Sequence, residues 1–108
     1  MKARILIADP IAQEGVDMLA SGANVDVRTG LAPAELLNII AAYDALIVRS
    51  ETQVTADVFA AAENLRVVGR AGVGVDNINI AAATERGIVV VNAPTGNTIS
   101  AAELAIAL

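Results

Sequence analysis

The chain contains no cysteine and no histidine among its 108 residues. Without cysteine it forms no disulfide, thiolate metal site or sulfur nucleophile. Without histidine it lacks the side chain that titrates near neutral pH, the commonest metal ligand, and the base of every Ser–His or Cys–His arrangement. A reaction that needs a histidine base must obtain it from outside these residues. Aromatic side chains make up 2%, with one Tyr, one Phe and no Trp, so there is no platform on which to stack nucleobases or a flavin. Seven Lys and Arg stand against 12 Asp and Glu, a net charge of −5, and the basic residues do not cluster. Both facts exclude nucleic acid as a partner. The most apolar window, Leu31 to Val48, is interrupted by Pro33, Glu35, Asn38 and Asp44, and the run before Asp9-Pro10 is too short for a signal peptide. A cytoplasmic protein with no membrane partner is predicted.

What remains is apolar: 56% hydrophobic residues and a mean hydropathy of +0.61, enough for one core and one domain. Arg4-Ile5-Leu6-Ile7-Ala8 is a short run of the kind buried on both faces of a parallel sheet. Asp9-Pro10 after it reads as an N-cap and a first-turn proline, opening a helix from Ile11 to about Ala20 that Ser21-Gly22 ends. Ala23 to Arg28 alternates apolar and polar, as an edge strand does. A helix starting near Pro33 carries Leu36, Leu37, Ile40 and Ala41. Asp44 to Arg49 is a further strand, Thr55-Ala56-Asp57 a helix start, and Leu65 to Gly69 another strand. Asn77 to Arg86 reads as a short helix with Asp76 as its N-cap and Gly87 at its C-terminus. It is followed by the β-branched strand Ile88 to Val91 and by Ser100-Ala101-Ala102-Glu103, a capping box. Strand and helix alternate five times with short connections. The predicted fold is therefore α/β: a flavodoxin-like, doubly wound parallel sheet of five strands with helices on both faces. The last helix has a start signal but no stop before Leu108, so the reading expects it to be truncated.

Ligands of such sheets bind outside the carboxyl ends of the strands. Those ends carry Asp9, Arg49-Ser50, Arg70 to Asn77, and Asn92 to Ser100. Arg49 and Arg70 both close apolar strands in an acidic chain, so two guanidinium groups can converge on a carboxylate or phosphate; the plainer alternative pairs them with Glu51 or Asp76. Gly69-Arg70-Ala71-Gly72-Val73-Gly74-Val75-Asp76-Asn77 lies between strand and helix, and its glycines permit an anion nest as well as a simple turn. It lacks the third glycine of Gly-x-Gly-x-x-Gly and so is not a dinucleotide fingerprint. Thr95-Gly96-Asn97-Thr98 is similar to the phosphate loop of flavodoxins, but it follows the fifth strand instead of the first, and a hinge or ligand-facing loop is the preferred reading.

Three blocks together carry a resemblance: Leu46 to Ser50 with Thr52; Val67 to Ile78; and Gly87 to Asn97 with Ser100 to Glu103. In this order and spacing they resemble the N-terminal part of the NAD-dependent D-2-hydroxyacid dehydrogenases, in particular those acting on 3-phospho-D-glycerate. The resemblance covers essentially the whole chain. It implies oxidation of 3-phosphoglycerate, a small anionic substrate, to 3-phosphohydroxypyruvate with NAD, on the route to L-serine, by a homo-oligomer when full length. It further implies that residues 1–98 form the N-terminal part of a substrate-binding domain, and that residues 99–108 begin the helix leading into a nucleotide-binding domain that this chain lacks. Arg49, Ser50, Arg70, Val73, Gly74 and Asn97 would face the substrate, and Val73 would also lie against the cofactor. The family's catalytic arginine, glutamate and histidine and its Gly-x-Gly-x-x-Gly motif fall beyond Leu108, so the resemblance makes the chain a fragment that is inactive alone. Three alternatives remain: a receiver-like module, weakened because Arg49-Ser50 stands where an acidic phospho-acceptor is needed; a flavodoxin-like electron carrier; and a stand-alone ligand-binding or subunit-pairing module.

Overall fold

The computed structural model describes residues 3–71 and 76–93. In chain order the elements are β1 (Arg4–Ile7), α1 (Gln13–Ala20), β2 (Asn24–Val27), α2 (Pro33–Ile39) with a single 3-10 turn at Ile40–Ala42, β3 (Ala45–Val48), α3 (Ala56–Ala61), β4 (Val67–Ala71), α4 (Ile80–Glu85) and β5 (Val89–Ala93). The five strands form one sheet in the order β2-β1-β3-β4-β5, and every pairing is parallel. This is the flavodoxin order, in which the direction of winding reverses between β1 and β3.

The continuous apolar runs of β1, β3 and β4 are explained by what covers each face. Side chains alternate across a strand. Leu6, Ala8, Leu46, Val48 and Val68 therefore join one core with Leu36, Val58, Phe59 and Ala83 of α2, α3 and α4. Ile5, Ile7, Ala45, Ile47 and Val67 join a second core with Leu19, and Val16 of α1 packs against it. Helices thus cover both faces. At the edge, β2 keeps only Val25 partly buried while Asn24, Asp26 and Val27 are exposed, which accounts for its polar alternation. No helix of the described residues is long and apolar enough to cross a membrane.

The helix ends explain the local sequence and correct two expectations. Thr55 caps α3, its hydroxyl accepting from the Val58 amide, and Gly87 after α4 adopts φ +69, a left-handed conformation that glycine takes without penalty. Glu35 accepts from the Ala32 amide at 3.0 Å, with Pro33 in the first turn of α2. By contrast, Asp9 is not the N-cap of α1: the helix begins four residues later, at Gln13, with Ala12 as its cap residue, because the Asp9 side chain is engaged elsewhere. Nor does Asp76 cap α4. Asn79 does so, its Oδ1 accepting from the Ala82 amide at 3.0 Å, and Asn77 is buried instead of opening the helix.

At the amino end of the sheet, the Tyr43 hydroxyl donates to Asp26 Oδ2 at 2.6 Å, while the Arg4 guanidinium lies 5.1 Å from the ring centroid and 3.7 Å from the same carboxylate. Burial, and next the hydrogen bond to Asp26, raise the Tyr43 phenol above its ordinary 10.0. The folded state therefore favours the protonated phenol. Its contribution is complete below the unfolded value and is lost as pH rises through the folded value. Tyr43 is the sole tyrosine, so a tyrosinate absorbance titration reads it directly. The midpoint is expected above 10.0 in the folded chain and back at the ordinary value in urea. Coincident midpoints would refute the assignment.

Candidate functional site

The carboxyl ends of β1, β3 and β4 meet at one rim, and a buried polar network joins them. Asp9, immediately after Ala8 at the end of β1, is 2% exposed. A buried carboxylate has to be hydrogen-bonded or it destabilises the fold, and both oxygens of Asp9 are. Its Oδ2 accepts from the Arg49 amide at 2.8 Å and from the Thr52 amide at 3.0 Å, and its Oδ1 accepts from the Thr52 hydroxyl at 2.6 Å. All three donors lie in the turn after β3. Pro10 directly behind Asp9 brings no competing amide hydrogen.

The same turn is held from its other side by Asn77, 7% exposed. Asn77 Nδ2 donates to the carbonyl of Arg49 at 2.6 Å and to that of Thr52 at 2.7 Å, and its Oδ1 accepts from Arg70 Nε at 2.6 Å. Main-chain bonds extend the seam: the Val54 amide donates to the Asn77 carbonyl at 2.8 Å and the Asn79 amide to the Val54 carbonyl at 2.9 Å, so that Val54 and Ile78 form a parallel bridge. Asp9 therefore takes the N–H groups of residues 49 and 52, and Asn77 takes their carbonyls.

This network places the two arginines singled out from the sequence. Arg70 lies opposite Val48 in the β3–β4 ladder and is the penultimate residue of β4, not the residue after the strand. Arg49 follows Val48 directly, so the two cations stand near the carboxyl ends of adjacent strands. They differ in character. Arg49 and Ser50 are exposed, and the Arg49 guanidinium makes only a long 3.5 Å contact with the Pro10 carbonyl. Among the described residues Arg49 forms no ion pair, with Glu51 or any other acid. Arg70 is 8% exposed and engages Asn77, the neighbour of Asp76. Val73, Gly74 and Asn97 lie outside the described residues. Thr52 and Asn77 were not singled out individually as site residues, although the former has the buried Asp9 as its partner and the latter sits in a turn where a side-chain amide can satisfy several main-chain groups at once.

A cleft of about 440 Å³ borders the network between α2 and the turn and helix that follow β3, lined by Asp9, Leu31, Leu36, Glu51, Asp57 and Val58 among others. Three of its lining residues are carboxylates and none is basic. An anion entering it would meet like charge. The cleft also covers the point between β1 and β3 where winding reverses, the usual nucleotide position in such sheets, so the described residues do not fit a dinucleotide pyrophosphate. The charge suited to an anion lies at Arg49 and Arg70, beside this cleft and not in it.

Replacing Asn77 with Ala removes both donors to the Arg49 and Thr52 carbonyls and is expected to destabilise the chain by about 1–3 kcal/mol for each buried group left unpaired. Urea unfolding followed by circular dichroism checks this. An unchanged midpoint would show that the turn is held by its main-chain bonds alone.

Residues 5–107 match the model of the D-isomer specific 2-hydroxyacid dehydrogenase catalytic domain. The chain is 58% identical over 106 residues to D-3-phosphoglycerate dehydrogenase of Archaeoglobus fulgidus, covering 97% of this chain and 20% of that protein. It is 54% identical over 106 residues to the enzyme of the same name from Synechocystis, covering 98% and 19%. Among solved structures, a protein of Pyrococcus horikoshii superposes with a TM-score of 0.83 at 30% identity, covering 86% of this chain and 28% of that one. The NAD+-bound 3-phosphoglycerate dehydrogenase of Entamoeba histolytica gives 0.79 at 28% identity, covering 87% and 33%. The chain spans about a fifth of the length of the curated relatives it matches. Matched over residues 5–107, nearly its whole length, the chain belongs to the D-isomer specific 2-hydroxyacid dehydrogenases.

Proposed function

We propose that this chain is the substrate-binding portion of a D-3-phosphoglycerate dehydrogenase, whose whole polypeptide oxidises 3-phospho-D-glycerate to 3-phosphohydroxypyruvate with NAD. One observation carries the reading: two arginines stand near the carboxyl ends of adjacent strands, in a chain more than half identical over nearly its whole length to enzymes of that name. A substrate with both a phosphate and a carboxylate needs two cationic anchors. Arginine suits both groups because its planar fork can meet two oxygens at once.

In this reading Arg49 is the exposed anchor and Ser50 contributes a hydroxyl beside it. Arg70 supplies positive charge from beneath, at a site where low solvent access strengthens its field. Val73, Gly74 and Asn97 complete the pocket, with Val73 also against the cofactor. The described residues offer NAD no seat, and the cofactor chemistry belongs to a nucleotide-binding domain outside them. Residues 1–98 form the N-terminal part of the substrate-binding domain, and residues 99–108 lead toward that second domain. The full enzyme is placed in the cytoplasm as a homo-oligomer. A receiver-like role has no support in the geometry, because Asp9 faces the turn after β3.

The chain is expected to bind but not to turn over, since proton abstraction from the hydroxyl needs a positioned base and the sequence contains no histidine. Titrating 3-phosphoglycerate into the isotopically labelled chain should move the amide signals of Arg49, Ser50 and Arg70. Arg49→Ala should weaken that binding by about tenfold or more, the equivalent of about 1.4 kcal/mol or more. NADH should not form when NAD is added. Undisturbed signals at saturating ligand, or turnover by the purified chain, would defeat the reading.

A further inference from the structure

The substrate reading assigns roles to Arg49 and Arg70 but none to the side chains that hold the turn between them. We infer that Asp9 and Asn77 are positioning residues, which set the Arg49–Thr52 turn before any ligand arrives and thereby aim the Arg49 guanidinium at the rim; this inference rests on the reading of Arg49 as an anion contact.

The argument starts from burial. A carboxylate only 2% exposed is unfavourable unless well bonded, and Asp9 has two amides and one hydroxyl at 2.6 to 3.0 Å. Charge-assisted bonds of this kind are stronger and more directional than neutral ones. They fix the turn at both its ends, residues 49 and 52. The side-chain amide of Asn77 fixes the carbonyls of the same two residues at 2.6 and 2.7 Å. Both main-chain polar groups of Arg49 are thus held by buried side chains from two other strand ends, and Arg70 orients Asn77 in turn. An arginine on a free loop would lose conformational entropy on binding an anion. Here the backbone at Arg49 is already fixed.

Electrostatics makes the inference testable by sign. Asp9 is negatively charged and its Oδ2 lies 2.8 Å from the Arg49 amide nitrogen. If Asp9 acted on an anion through its charge alone, removing it would tighten binding, because a like charge is withdrawn. If it positions Arg49, removing it weakens binding. Asp9→Asn keeps an oxygen acceptor for both amides, and its new amide group can donate to the Thr52 hydroxyl, so the positioning survives while the charge is lost.

The experiment measures binding of 3-phosphoglycerate, and of inorganic phosphate as a simpler probe, to the 108-residue chain by amide shifts, together with hydrogen exchange at the Arg49 and Thr52 amides without ligand. In Asp9→Ala all three bonds to the turn are lost, both amides are expected to lose protection, and affinity is expected to fall by about tenfold because the loosened turn has to be ordered on binding. Asp9→Asn should retain most of both. In an Arg49→Ala background, Asp9→Ala should cause no further loss, because the effect passes through Arg49. If Asp9→Ala does not fold, Thr52→Val removes only the 2.6 Å hydroxyl bond and should show the same changes in smaller degree. Tighter binding in a folded Asp9→Ala, equal losses with and without Arg49, or an unaltered affinity in Thr52→Val where Asp9→Ala is unfolded would overturn the positioning role alone. Failure of the unaltered chain to bind either anion would overturn the substrate reading of Arg49 and the positioning role with it.

Discussion

A buried carboxylate at the end of β1 is the constraint around which the ligand-facing rim is built. With 2% exposure, Asp9 has almost no water to solvate it, so its oxygens have to find donors in the protein. Those donors are two amides and a hydroxyl of the turn after β3. The turn could not swing away without exposing three donors and stranding a charge. Because residues 49 and 52 are held there, their carbonyls face the other way, toward β4, where Asn77 receives them. Arg70 then has a fixed acceptor in Asn77. Each step follows from satisfying buried polar groups, and the sequence of steps runs across the sheet from β1 to β4.

The same constraint separates two regions of opposite charge. Between α2 and the turn and helix after β3, the cleft is lined by the carboxylates of Asp9, Glu51 and Asp57 and by no basic side chain. Arg49 and Arg70 stand outside its lining. The shape of the surface would point a ligand to the cleft, but its charge repels the small anion that the family resemblance implies. In an acidic chain of net charge −5, long-range attraction of an anion is weak, and on the proposed reading recognition depends on short-range contacts with the two guanidinium groups. That makes accurate placement of Arg49 matter more than overall field.

Much of the fold was legible because its signals are local and repeated. Short apolar runs such as Arg4 to Ala8 and Asp44 to Arg49 became strands with both faces buried, the alternating segment at Asn24–Val27 became the edge, and Thr55 and Gly87 marked helix ends by their own chemistry. The places of Arg49 and Arg70 in the chain were legible for the same reason, since each follows a short apolar run, although Arg70 lies within β4 and is buried there. What was not legible depends on partners some forty residues away. Asp9 followed by proline has the local pattern of a helix start, and nothing nearby shows that its carboxylate is claimed by residues 49 and 52. Asp76 and Asn79 are equally plausible caps by type. Asn79 took the role because Asn77, between them, is drawn into the turn after β3 and the helix can begin only beyond it.

The division of labour follows from what each residue type can do. A catalytic base has to exchange a proton near neutral pH, and no histidine is available here. An anchor has to stay charged and hold its geometry, which arginine does at any physiological pH. On the proposed reading, the buried hydrogen bonds around Arg49 serve binding. A binding arginine gains from a rigid turn because the ordering entropy is lost on folding and not again on binding. The rigidity comes from buried polar groups that stabilise the fold only while every one of them is satisfied, which ties the accuracy of the site directly to the stability of the sheet beneath it.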